Sequence, residues 1–284
     1  MKNLFLILSF SLFLIWGCAA CKKDDERKAN PIVLAGNDPN FKIIPNNDGM
    51  LNSFHKKVVV FGIDIYAVSG VADEKLLHAA NVMAQYLDND EDGTVDNAEV
   101  LEQMQKNKAF VVMWAKESDM DIDPPGERIG QDLGNDETVP AFVNQGKTGR
   151  FDASLEEIWH IISHSGYAYA YPDVFGEGIG TELSLAMDIA RGGQFTSIPS
   201  TYPEGAWYAY DDETCTYDCQ STEYFYWALT SILGAQDNRL EEIGHEWKLN
   251  TKALVESKDQ AIFQLLNDVQ YKIPTVLPDG TYRR

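Results

Sequence analysis

A chain of 284 residues that is 44% hydrophobic and 11% aromatic has ample material for a packed core, which excludes a disordered polypeptide. Its formal net charge of −21 excludes nucleic acid as a partner of the folded body, because phosphate contacts need clustered Lys and Arg. The same acidity suits cations and solubility outside the cell.

The chain opens "MKNLFLILSFSLFLIWGCAACKKDDE": Lys2, an apolar run from Leu4 to Trp16, then small residues around Cys18 and Cys21. A charged start, a short apolar stretch and a small-residue zone predict a secretory signal, and the run is too short for a comfortable transmembrane span. A cysteine closing such a segment resembles the lipobox of bacterial lipoproteins, in which the thiol is diacylated and becomes the first residue. Cys21 follows "CAA" and fits better; Cys18 follows "IWG", where Trp16 is bulky, and remains the competitor. The "CKKDDE" run is similar to the acidic tag that exports some Gram-negative lipoproteins to the outer leaflet. The resemblance implies a surface-exposed outer-membrane lipoprotein of the cell envelope, with the membrane as its partner through lipid. The expected organisation is a signal peptide over 1–21, a tether over 22–50 containing "NDPN" and "IPNNDG", and one globular domain over 51–284.

In chain order, "KVVVFGIDIYAV" over 57–68 predicts a strand. Leu76, Leu77, Ala80, Met83, Ala84 and Leu87 recur at helical spacing and predict a helix over 73–87, with Asp73 as its cap. A short helix over 97–107 and a strand at "AFVVMWA" follow, then a long polar loop. The second half predicts helices over 153–165, 181–191, 222–234, 239–248 and 257–268. The sum is an α+β fold, mostly helical, with a small sheet.

Between the first two helices stands "DNDEDGTVDNAE", 88–99. Carboxylates spaced this closely repel one another unless a cation sits among them. Asp88, Asp90 and Asp92 occupy positions 1, 3 and 5, Gly93 the sharp bend at 6, Thr94 the main-chain ligand position 7, Asp96 position 9 and Glu99 position 12. This resembles the EF-hand loop, and the resemblance covers 73–107. It implies Ca2+ held by oxygen ligands from Asp88, Asp90, Asp92, Thr94, Asp96 and Glu99. A single hand implies a structural ion rather than a switch. "DMDID" at Asp119, Asp121 and Asp123 is no second hand, since Pro124 and Gly130 take the glycine and glutamate positions.

A second constellation lies in "SLEEIWHIISHSG". Glu156, Glu157, His160 and His164 share one face of a helix, and two histidines at i and i+4 can grip one Zn2+. Glu182 or Glu223 would add a third ligand and Glu157 the general base of a zinc-dependent hydrolase, a peptidase for example. Against this, the zinc-protease pattern H-E-x-x-H has Ile161 where it needs Glu, and the reversed pattern has Ser163. The alternative is a polar helix face. "LEEIGH" at 240–245 echoes "LEEIWH" at 155–160, but Gly166, Pro172, Gly192 and Gly193 cut the helices too short for a di-iron bundle.

The remaining signals read as structural. Cys215 and Cys219 predict a disulfide in an oxidising compartment. His78 reads as a packed histidine without a partner. "YAYAYP" and "EGAWYAYDDE" offer flat rings that serve either core packing or a groove for a protein, peptide or glycan partner. Two functional readings therefore stand: a calcium-binding envelope protein, and a zinc-dependent hydrolase stabilised by calcium.

Overall fold

The computed structural model describes residues 39–120 and 124–283. The signal segment with Cys18 and Cys21, the tether up to residue 38, and Asp121 and Asp123 lie outside the described residues.

Three strands open the described chain: β1 (Ile44–Pro45), β2 (Lys56–Val60) and β3 (Ile63–Ala67). The stretch expected as one strand is a hairpin. Phe61 and Gly62 both take positive φ, 47° and 86°, and reverse the chain in two residues. Helix α1 (Asp73–Leu87) follows, then the acidic loop, α2 (Ala98–Lys106), β4 (Phe110–Trp114) and β5 (Gly130–Gly134). Asp73 is not the cap of α1: Ala72 holds that position, and Asp73 pairs with Lys56 at 2.5 Å. Asn97 does cap α2, its side chain accepting from the Val100 amide.

The sheet runs in the order β1-β2-β3-β4-β5. β1, β2 and β3 pair antiparallel, whereas β4 joins β3, and β5 joins β4, in parallel. Helices α1 and α2 form the connection that parallel pairing of β3 with β4 requires. Alternation along β4 divides its side chains between two cores. Val111 and Met113 face the main core with α1, while Phe110 and Val112 join Leu51, Phe54 and Tyr66 in a smaller cluster. β5 was hidden in the predicted polar loop. Its Gly130 lies against the Phe110 ring, where an added Cβ would stand 2.5 Å from the ring edge.

The helical half continues with α3 (Ser154–Ile162), one π-helical turn (Ser163–Tyr167), α4 (Ala168–Ala170) and α5 (Pro172–Phe175). Then come α6 (Glu182–Arg191), α7 (Tyr217–Ile232), α8 (Leu240–Ile243), α9 (Lys252–Lys258) and α10 (Gln260–Leu266). The helix expected over 239–248 shrinks to one turn, and the last expected helix is two, divided at Asp259. Asp259 caps α10 and also accepts from Trp207 Nε1 and the Tyr224 hydroxyl, both at 2.7 Å. The protein is thus α+β and mostly helical. The expected tether belongs partly to this body: Asn40 donates to the Tyr282 carbonyl, Phe41 stacks on Tyr282, and β1 is a sheet strand.

His78 on α1, for which no sequence pattern indicates a partner, forms a buried ion pair with Asp152 at 2.6 Å. Asp152 stands just before α3 and also accepts from Val139 N, Ser154 N and Ser154 Oγ. Burial alone would raise the Asp152 pKa; the His78 charge and these donors overcome that and lower it below the usual carboxylate value. Because the folded pKa is depressed, the stabilisation is present above the unfolded pKa, near 4, and is lost as pH falls through the folded value. Asp152→Asn removes the buried counter-charge, and a loss of about 3–5 kcal/mol is expected in urea unfolding at pH 7. The difference from wild type should narrow as pH falls below about 4; an equal difference at pH 7 and pH 3 would contradict the pairing.

Candidate metal centres

The acidic loop begins where α1 ends. Asp88 caps the helix, its amide bonding to the Ala84 carbonyl. Glu91 and Gly93 then take positive φ, 59° and 92°, and curl the chain back on itself. This curl brings carboxylate oxygens of Asp88, Asp90 and Asp92 within 4.8 Å of one another. The buried Asp88 carboxylate accepts from Gly93 N at 2.8 Å and Asp92 N at 3.1 Å, so the loop's own amides fix its direction. Thr94 donates its amide to Asp92 Oδ1 at 2.8 Å. Asp96 and Glu99 stand outside the converging trio. Asp96 accepts from Asn89 N at 2.7 Å, and burial, followed by the charges of Asp90, Asp88 and Asp92, raises its pKa despite that bond. Glu99 lies in the exposed first turn of α2, beside the Tyr171 hydroxyl.

The C-terminal segment is sewn to this loop. Tyr282 donates its hydroxyl to Asp88 Oδ2. Asn89 accepts from Thr275 N and Val276 N, both at 2.8 Å, and returns a bond to the Val276 carbonyl. Gln85, one turn before the loop, accepts from Asp279 N and Gly280 N. Glu91 accepts from Arg283 N at 2.9 Å. Asn89 and Glu91, together with Asp88 itself, therefore hold the end of the chain.

The second centre sits on α3 and α7. His160 and His164 line one cavity, but only His160 joins the converging ligand atoms. A π-helical turn begins after Ile162, between the two histidines. His164 Nδ1 instead lies 2.8 Å from both oxygens of Glu177, and Glu177 also accepts from the Thr222 hydroxyl at 2.7 Å. Glu182 is absent from the cluster as well; it starts α6 and lines a groove with Leu185, Ile189 and Tyr271. Glu223 does arrive from α7, and its partners are His160 and Glu156, whose ligand atoms come within 4.8 Å of one another and of Glu223.

Around His160 the geometry is specific. Its Nε2 lies 3.4 Å from Glu223 Oε2, at an angle that makes no hydrogen bond, and this buried nitrogen has no other hydrogen-bond partner. Its Nδ1 lies 3.4 Å from Glu157 Oε2, which is held by Gln131 Nε2 at 2.5 Å. Glu157, the expected general base, thus lies against the imidazole Nδ1. Burial, then the charges of Glu157 and Glu223, push the Glu156 pKa well above the usual carboxylate range. Burial works against a charged His160, yet Glu223 and Glu157 outweigh it and hold the imidazole pKa well above its ordinary value. The cluster opens on one side to a cavity of about 240 Å³ lined by His164, Glu177, Asp218 and Thr222. The Cys215–Cys219 disulfide, Cα–Cα 5.3 Å, secures the start of α7 at that rim.

No protein-family model, no curated protein and no solved structure matches the chain. Glu156, placed by the sequence on the same helix face as the histidines, was not among the expected ligands. The segment Glu156-Glu157-x-x-His160 has the spacing of H-E-x-x-H with a glutamate in the first ligand position, and that reading selects the pair that the structure brings together.

The bonds from Glu177 raise the His164 pKa; burial opposes them and is the smaller effect. In Glu177→Gln the His164 pKa, followed by NMR titration, should fall toward the ordinary histidine value near 6.5. An unchanged titration would show that the two residues are not paired.

Proposed function

We propose that this chain is a calcium-binding, lipid-anchored protein of the cell envelope in which one EF-hand loop holds Ca2+ as a structural ion. The convergence of Asp88, Asp90 and Asp92 around the bend at Gly93 carries this reading. Three hard oxygen donors within reach of one point favour Ca2+ over softer metals. Without a cation the same three charges oppose the loop's closure; with one they support it. The ion's task is inferred from what the loop holds. Because 275–283 and Phe41 both depend on the loop or on Tyr282, a bound cation would secure both ends of the folded body.

Thermal unfolding tests the ion. At millimolar Ca2+ and the affinities of extracellular sites, the protein should gain about 1–3 kcal/mol over its state in chelator, or roughly 2–10 °C in Tm. Glu99→Ala should remove most of the difference, and chelator should expose 275–283 to limited proteolysis. Identical melting curves in Ca2+ and chelator would refute the proposal.

The anchor is tested separately. Labelled fatty acid should enter the wild-type protein during expression and be lost in Cys21→Ser, or in Cys18→Ser if that cysteine is the acylated one. Labelling retained in both variants, or absent from wild type, would remove the lipid from the proposal.

A further inference from the structure

Glu156 and His160 sit one turn apart on α3, and Glu223 faces them from the middle of α7. Two elements that are far apart in sequence therefore deliver one imidazole nitrogen and two carboxylates to a single point. Nothing in the packing of the core demands this. Three carboxyl groups, those of Glu156, Glu157 and Glu223, crowd one buried histidine. His160 Nε2, on a residue only 6% exposed, points at this cluster and makes no hydrogen bond. Glu223 Oε2 at 3.4 Å is its neighbour there; a buried ring nitrogen left without a hydrogen bond costs about 1–3 kcal/mol, and native structures rarely leave one without a reason. The other ring nitrogen is backed by Glu157, itself held by Gln131, which is the carboxylate-on-histidine support found behind metal-bound imidazoles.

We infer that Glu156, His160 and Glu223 form a site for a first-row transition dication of the zinc class, separate from the calcium loop. His160 Nε2 and one oxygen from each glutamate are the ligands; Glu157 and Gln131 are positioning residues that hold the ring. The donor set distinguishes the two centres. An imidazole nitrogen with two carboxylates suits Zn2+ or its Co2+ surrogate, whereas the all-oxygen loop suits Ca2+. The 240 Å³ cavity beside Glu223 and His160 leaves one side of the site open. Three protein ligands with an open position is the composition of catalytic rather than structural zinc sites, so the chemistry the site offers is polarisation of a bound water or carbonyl.

Metal content and spectroscopy test the inference on the full chain, extracted in detergent and stripped with chelator. Isothermal titration with Zn2+ in the presence of saturating Ca2+ should give one site, and Co2+ at the same site should give visible d–d absorption. Glu99→Ala should leave Zn2+ binding unchanged, because it alters only the calcium loop. His160→Ala and Glu223→Gln should each weaken binding at least 100-fold; the latter nearly keeps the side-chain shape and guards against a simple folding defect, read by circular dichroism. Glu157→Gln should weaken binding about 10- to 100-fold while leaving one site. His164→Ala should have no effect, since that ring belongs to Glu177. Absence of Zn2+ binding in wild type, or wild-type affinity in folded Glu223→Gln, would overturn the inference; loss of binding in His164→Ala would transfer the site to the two histidines.

Discussion

One buried carboxylate, Asp88, governs the arrangement of this protein. It terminates α1, takes two amides of its own loop and receives the hydroxyl of Tyr282 from the far end of the chain. A buried charge is tolerated only where donors or cations surround it, so each of these bonds exists under the same constraint. Tyr282 then passes the constraint on, through its ring to Phe41 and its carbonyl to Asn40. The first and last described stretches meet at a point fixed by the middle of the sequence. With that contact in place, α1 has a defined end and the sheet on which it packs has a defined edge.

The two candidate centres solve one electrostatic problem with different materials. In the loop the carboxylates are largely exposed, and water screens their repulsion. On α3 and α7 they are buried beside an imidazole, where repulsion is stronger and a nitrogen donor is at hand. The acidic field reaches further: burial, and Glu223 as a negative neighbour, raise the pKa of Glu246 to about 7. Two helices tie the centres into one body. α1 leads into the loop, α3 carries Glu156 and His160, and the His78–Asp152 ion pair joins the first helix to the start of the second.

How much of this could be read in advance varied with the range of the forces involved. The spacing of Leu76, Leu77, Ala80, Met83, Ala84 and Leu87 marked α1 at its observed limits, because one apolar stripe decides a helix locally. The hairpin at Phe61–Gly62 was missed, since β-branched residues on both sides mask a two-residue turn. β5 was missed because its sequence, "GQDLG", is chosen for fit against Phe110 and has few apolar side chains. The loop aspartates were legible from spacing alone. The partner of His78 was not: Asp152 lies 74 residues away, and no local pattern announces it. On α3 the i, i+4 spacing of His160 and His164 is the conspicuous pattern, and an ideal helix puts both on one face. The π-helical turn, which nothing in "SHSGY" advertises except its glycine, carries His164, which pairs with Glu177, and Glu156 is the neighbour of His160.

That same turn has a mechanical side. Gly166 lies so close to α2 that an added Cβ would come within 2.7 Å of Val100 Cγ1, and Asn107 at the end of α2 donates to the Ser165 carbonyl at 2.8 Å. The exit helix of the acidic loop therefore packs, through Val100 and Met104, directly on backbone two residues from His164. The widened coil is thus the element that the loop's exit helix and the histidine-bearing helix share. The irregularity that carries His164 is also the place where a displacement of α2 would first reach the histidine-bearing helix.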